Sequence, residues 1–248
     1  MAVRTVATTN LNRWTWMRRL AVAWLHDRRQ FRGGRLPRTC PVCGYHGVFI
    51  GVGHPNRRDA RCPNCGSRER HRLLHLWITE NGGDKLAGKK VLHFAPEKAL
   101  MRRMRGNALY ETADLIQPGV THKVDITGSD LPDAGYDMVI ANHVLEHIDD
   151  DRKAMHELFR LLKPGGVAAL SVPINATRHA TYENPAITSP SEREAHFSAD
   201  DHKRYYGLDF ADRLNEAGFQ VETFRVSFEN EIKFGLLRDE WMYIARKP

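Results

Sequence analysis

The sequence predicts an α/β fold built on a mostly parallel sheet, preceded by a small cysteine module. Three observations predict it. Short apolar runs end beside Phe94, Asp114, Asp125 and Asn142 and alternate with helix-forming stretches, the rhythm of strands joined by crossovers. Ligands of open parallel sheets bind at the carboxyl ends of the strands, where Asp114, Asp125 and Asn142 fall. Finally, all four cysteines lie between positions 40 and 65, as two Cys-x-x-Cys pairs.

The bulk numbers agree. A chain of 248 residues, 42% hydrophobic and 27% charged, suffices for one large domain plus a small module. No run approaches the roughly 18 apolar residues of a membrane span. The net charge of +7 is unevenly placed: residues 1–80 carry fifteen arginines, no lysine and four acids, a formal +11, and the remainder carries −4. We divide the chain into a basic segment (1–35), a cysteine ribbon with a linking helix (36–80) and a main domain (81–248).

Trp14 to Arg29 reads as an amphipathic helix, with Trp16, Leu20, Ala23 and Trp24 near one face and arginines mostly elsewhere. Such a helix docks on its own domain, on a membrane surface or on nucleic acid. An arginine-rich leader also fits a transit segment, but its interrupted apolar pattern does not fit a secretory signal.

Cys40-Pro41-Val42-Cys43-Gly44 and Cys62-Pro63-Asn64-Cys65-Gly66 are two knuckles, each closed by a glycine that relieves a tight turn. In a chain without other cysteines this spacing argues for metal rather than disulfides, and a reducing cytoplasm suits it. Four soft thiolates suit Zn²⁺ in a closed structural site, so Cys40, Cys43, Cys62 and Cys65 are the expected ligands. Arg57, Arg58, Arg61, Arg68, Arg70 and Arg72 are expected to form a basic surface nearby. Ser67 caps a helix running to Ile78, ended by Asn81-Gly82-Gly83.

In the main domain, Val91–Phe94 is strand one. Strand two lies within Asn107–Asp114, strand three within Val120–Asp125, and strand four is Tyr136–Ala141. A helix from Asp151 to Leu162 stops at Pro164-Gly165-Gly166. Val167–Val172 is strand five, Phe210–Ala217 a helix, and Phe219–Val226 and Trp241–Arg246 an antiparallel edge pair. Asp114 stands twenty-one residues past His93, a spacing that suits a carboxylate gripping a ribose diol.

Residues 89–172 resemble a class I S-adenosylmethionine-dependent methyltransferase with a Rossmann-like sheet, of the methyltransferase type 11-like kind. The carriers are Asp137-Met138-Val139-Ile140-Ala141-Asn142-His143-Val144-Leu145-Glu146-His147-Ile148, preceded by Leu131-Pro132 and followed by Leu161 to Gly166. The resemblance implies S-adenosyl-L-methionine as cofactor. It implies that Asp114 meets the ribose hydroxyls, that Asp125 and Ile126 flank the adenine amine, and that Asn142 and His143 line the methyl-donor end. The first loop departs from the family, which has an acid followed by Gly-x-Gly. Here it reads His93-Phe94-Ala95-Pro96-Glu97, so His93, Ala95 and Glu97 are the expected contacts at the methionine end.

The polar connection Pro173 to Arg204 reads as a lid or binding loop. His202 and His196 are its general-base candidates, with His143 next. No carboxylate cluster accompanies His202 at ligand spacing, which disfavours a catechol-type metal-assisted transfer. The expected function is methyl transfer to an oxygen or nitrogen of a small polar metabolite or sugar. Two alternatives accompany it: an RNA or tRNA methyltransferase that uses the basic ribbon, and a non-catalytic cofactor-binding scaffold.

Overall fold

A computed structural model of the chain describes Met17, Ala21 and residues 36–53, 56–80, 83–107, 109–238 and 240–248. The helix expected from Trp14 to Arg29 lies outside the described residues, apart from Met17 and Ala21, which are helical. In chain order the elements are β1 (Arg38–Thr39), β2 (His46–Gly47), β3 (Ile50–Val52), β4 (Arg57–Arg61), α1 (Glu69–Ile78), β5 (Val91–Phe94) and α2 (Lys98–Met104). Next come β6 (Tyr110–Asp114), β7 (His122–Lys123), β8 (Tyr136–Asn142), a 3-10 turn (Leu145–His147), α3 (Asp151–Leu161) and β9 (Leu162–Ser171). Last are β10 (Tyr182–Glu183), α4 (Pro190–Phe197), β11 (Arg204–Tyr205), α5 (Phe210–Glu216), β12 (Gln220–Phe224), α6 (Phe228–Phe234) and β13 (Met242–Arg246).

The chain forms two compact units. The first takes the N-terminal part to Gly82, with Lys98–Arg103 and Arg225–Glu240. It contains two antiparallel ladders, β1 with β2 and β3 with β4. Arg72 of α1, fully buried, is its polar centre. Its guanidinium donates to the carbonyls of Ser67 (2.7 Å), Ala60 (3.2 Å), Asp59 (3.3 Å) and Gly235, and lies 4.7 Å over the Phe49 ring. Its two terminal nitrogens are spent on these carbonyls, which offsets much of the cost of burying the charge. The expected basic surface is therefore smaller by Arg72, and Arg57 is paired with Glu69 at 3.2 Å. The helix also starts later than expected. Arg68, not Ser67, occupies the cap position, and its N–H donates to His71 Nδ1 at 3.1 Å.

The second unit holds a seven-stranded sheet in the order β12-β13-β9-β8-β5-β6-β7. Strands β9, β8, β5, β6 and β7 run parallel, while β13 is antiparallel to both β9 and β12. Buried Leu92, Val139, Ala168 and Leu170 form the centre of the sheet. Ala154, Met155, Leu158 and Leu161 of α3 join them in the core, a spacing that puts an apolar stripe on one side of a helix. Asp150 starts α3 by accepting from Lys153 N at 2.9 Å. The pairing of β9 begins at Leu162, earlier than expected, and tolerates Gly165 at φ 74°. Gly166 is needed there: a Cβ would stand 2.8 Å from Lys163 O.

Candidate functional site

Because β5 pairs with β6 on one side and β8 on the other, the winding reverses between β5 and β8. A crevice opens at such a switch point, outside the carboxyl ends of the strands. Register sets Phe94 opposite both Ala113 and Ala141, and Asn142 opposite Ser171. The residues just past these pairs therefore border the crevice: Ala95, Asp114 and His143.

Two of these strand ends hold unusual backbone. Ala95 has φ +46° and His143 φ +53°, a left-handed region that side chains with a Cβ rarely enter and that clusters at functional sites. Ala95 thus takes the conformation that glycine would supply, which is how a glycine-free loop makes this turn. His93 is fully buried: its Nδ1 lies 2.8 Å from Tyr110 Oη and its Nε2 3.0 Å from Glu97 Oε2. Burial, with the Glu97 charge adding to it, pushes the Tyr110 hydroxyl well above its ordinary value.

Asp114 is half-buried, and its Oδ1 accepts from Ile116 N (2.7 Å) and Gln117 N (2.6 Å), which fixes the plane of the carboxylate. Gln117 Nε2 in turn reaches Pro96 O at 3.3 Å, tying the loops after β6 and β5 together. Leu115 and Ile116 beside it are 55% and 82% exposed. Asp125 is exposed and accepts from Thr127 N and Oγ1, both at 2.8 Å, while Ile126 is buried. Asn142 is buried. Its Oδ1 accepts from Ser171 Oγ at 3.1 Å, but its Nδ2 has no hydrogen-bond partner among the described residues.

Past β8, Glu146, His147 and His202 each bring one donor atom to within 4.8 Å of the others. Arg204 builds this meeting of distant segments. Its guanidinium donates to the carbonyls of Leu145 (3.1 Å), Ile148 and Asp149 (2.8 Å), and Lys203 N donates to Glu146 O at 2.8 Å. Arg204 is itself held by Glu183 at 2.8 Å, and Arg213 reaches Asp151 (3.1 Å) and Glu183 (2.8 Å). The connection after β9 is ordered around this clamp as the hairpin β10–β11, with α4 inserted. His202 Nδ1 lies 2.9 Å from Phe197 O. Burial pushes the His202 ring below its ordinary pKa, against the opposing pull of Glu146, so it is neutral near pH 7 with Nε2 free to accept. The sequence shows no carboxylate cluster at ligand spacing from His202; the fold supplies Glu146 from fifty-six positions upstream. His196, by contrast, is exposed on α4, 2.9 Å from Tyr182 Oη.

A family model described as a methyltransferase domain matches residues 62–223, more than half of the chain. The chain belongs to this family. Among curated relatives, an uncharacterized methyltransferase of Mycobacterium tuberculosis is 46% identical over 46 residues, which are 18% of this chain and 23% of that protein. A Mycolicibacterium smegmatis protein named "Probable S-adenosylmethionine-dependent methyltransferase" is 33% identical over 92 residues, 37% of this chain and 32% of that protein. The chain thus spans about a quarter to a third of these relatives. Among solved structures, the 1,6-didemethyltoxoflavin-N1-methyltransferase of Burkholderia thailandensis is similar, with TM-score 0.48 and 16% identity over 99% of this chain and 93% of that one.

The methyltransferase domain has the α/β Rossmann-like fold of class I, S-adenosylmethionine-dependent enzymes, and its strand ends fit that cofactor. The fixed Asp114 carboxylate suits a diol, Leu115 and Ile116 offer apolar cover for a purine, and the unpaired Asn142 Nδ2 is an orphan donor in the crevice.

The four cysteines of the chain also converge. All four sulfurs lie within 4.8 Å of one another, with Cys40 to Cys65 at 3.6 Å and Cys43 to Cys62 at 3.7 Å. Each knuckle closes with its Gly N–H on the first Cys carbonyl, Gly44 on Cys40 at 2.8 Å and Gly66 on Cys62 at 3.0 Å. Ser67 Oγ sits 3.3 Å from Cys40 Sγ and 3.1 Å from Cys65 Sγ, the use that replaces its expected cap. Hydrogen bonding among the sulfurs draws Cys43 down to about 7 and lowers Cys65, while it drives Cys40 and Cys62 up.

Proposed function

We propose that this chain transfers a methyl group from S-adenosylmethionine to an oxygen or nitrogen of a small polar metabolite or sugar. The observation that carries the proposal is the polar cluster of His143, Glu146, His147 and His202 at the end of β8, beside the strand-end crevice. The cofactor supplies an electrophilic methyl group on a sulfonium, and needs no covalent enzyme intermediate. The protein's work is then to orient, to exclude water and to manage one proton.

In this reading Asp114 accepts from both ribose hydroxyls, and Asp125 with Ile126 borders the adenine amine. Ala95 lets the backbone approach the methionine end. Glu97, positioned by the buried His93, faces the methionine amine. Asn142 and His143 flank the methyl group, and His202 serves the acceptor. His196 stands at the rim. Cys40, Cys43, Cys62 and Cys65 hold a structural Zn²⁺ as thiolates, and a reducing cytoplasm keeps them from forming disulfides. No helix among the described residues is long and apolar enough to cross a membrane.

RNA is the weaker acceptor, because burial of Arg72 and pairing of Arg57 thin the basic surface that would hold phosphates. Incubation with methyl-labelled cofactor, a metabolite extract and total RNA separates the two. We expect label in the small-molecule fraction at any salt. Label in RNA that falls steeply with added salt would overturn the reading.

A further inference from the structure

We propose that Glu146, His147 and His202 hold a divalent first-row transition cation, whose open positions take an oxygen of the methyl acceptor. The inference deepens the proposed function and rests on it for the acceptor's identity. Its first support is the convergence of one carboxylate oxygen and two imidazole nitrogens within 4.8 Å, from segments brought together by the Arg204 clamp.

The second support is how the two histidines are held. Metal-ligating histidines almost always give their other ring nitrogen to a carboxylate or a backbone carbonyl. His147 Nδ1 lies 3.2 Å from Asp201 Oδ2, and His202 Nδ1 lies 2.9 Å from Phe197 O. Both partners fix the tautomer that leaves Nε2 as the ligand. The rings meet edge to face with centroids 4.8 Å apart.

The third support is Glu146. It is 1% exposed, and neither carboxylate oxygen has a hydrogen-bond partner among the described residues. His143 Nδ1 at 3.2 Å and His147 Nε2 at 3.9 Å are near Oε1 without hydrogen-bond geometry. A buried carboxylate needs a compensating charge. Arg204, the guanidinium beside this segment, is spent on three carbonyls and Glu183. A base at His202 alone leaves Glu146 and His147 without a task, whereas a cation uses all three. Two imidazoles with one carboxylate suit Mn²⁺, Fe²⁺ or Zn²⁺ better than Mg²⁺, which prefers oxygen ligands. The cation's part is to hold the acceptor oxygen and favour loss of its proton to water. The O–CH₃ bond then forms as the S–CH₃ bond breaks.

Mn²⁺ is the probe of choice, because a four-thiolate site selects softer ions. The full chain, loaded with zinc at its cysteines, is titrated with Mn²⁺ and followed by electron paramagnetic resonance. Cofactor affinity is measured on the same samples by calorimetry. We expect one Mn²⁺ per chain in the wild type and at least tenfold weaker binding in Glu146→Gln and His202→Gln. Asp201→Asn, at an exposed position that does not endanger folding, should weaken Mn²⁺ by about 10–100-fold, with cofactor affinity unchanged in every variant. No bound Mn²⁺, or wild-type affinity in all three variants, overturns the inference. Cofactor binding without Mn²⁺ leaves the proposed function standing and removes the metal; Mn²⁺ without cofactor binding does the reverse.

Discussion

Stripping the metal from the cysteine site should unfold the ribbon around it. The purified chain is expected to carry one zinc, and a strong chelator or Cys62→Ser should remove it. Binding at comparable small zinc sites is worth roughly 10–16 kcal/mol at neutral pH, far more than two short ladders can supply. Those ladders are two to five residues long, and the apolar residues clustered with the cysteines are few: Phe49 buried, Val42 and Tyr45 partly so. Without the cation, four converging thiols replace the one contact that organises both knuckles. Elemental analysis gives the stoichiometry. Amide exchange should show protection of residues 38–66 collapsing on chelation while the sheet strands β5, β8 and β9 keep theirs. A metal-free protein with an intact, protected ribbon would remove zinc from the account.

His202→Ala should stop methyl transfer without stopping cofactor binding. The imidazole packs against His147 and lies near Glu146, with Nδ1 on Phe197 O, and takes no part in the contacts of Asp114 or Asn142. Whether Nε2 takes the acceptor's proton or ligates a cation that lowers that proton's affinity, its loss leaves a weak nucleophile. Positioned groups of this kind contribute about 10²–10⁴-fold, so single-turnover transfer should fall by that factor. Cofactor affinity, measured on the same variant, should stay within about twofold, a change below roughly 0.4 kcal/mol. A wild-type transfer rate would reduce His202 to a surface histidine of the hairpin.

The sheet was legible because its strands are short apolar runs with breaks between them, and because Asp114 ends the second strand twenty-one residues past His93. The cysteine site was legible for the same reason: Cys-x-x-Cys-Gly is a local pattern whose geometry follows from its neighbours. What the sequence hid depends on distant partners. Arg72 sits in an arginine-rich stretch and looks solvated, yet backbone carbonyls from β4 and from Gly235, 163 positions away, draw it inside. Helix α6 escaped notice although its start and stop signals are present: Ser227 caps its N-terminus by accepting from Asn230 N, and Gly235 closes it at φ 60°. The first loop departs from the family's glycine pattern, and what the sequence did not show is that Ala95 enters the left-handed region, at a cost of roughly 1–2 kcal/mol. The Glu146–His147–His202 meeting had half its signal in the sequence, the His-Val-Leu-Glu-His run. The other half needed the Arg204 clamp, which no spacing rule reveals.

Calorimetric titration of S-adenosylmethionine into the wild type and Asp114→Ala tests the central claim, that the cofactor lies across the strand ends of β5, β6, β7 and β8. Losing a charge-assisted hydrogen bond costs about 1.5–3 kcal/mol, so the variant should bind about ten- to a hundredfold more weakly, with unchanged amide protection of β5, β8 and β9 showing that the sheet is intact. Equal affinity in the two proteins would place the cofactor elsewhere, and no binding to the wild type would contradict the account outright.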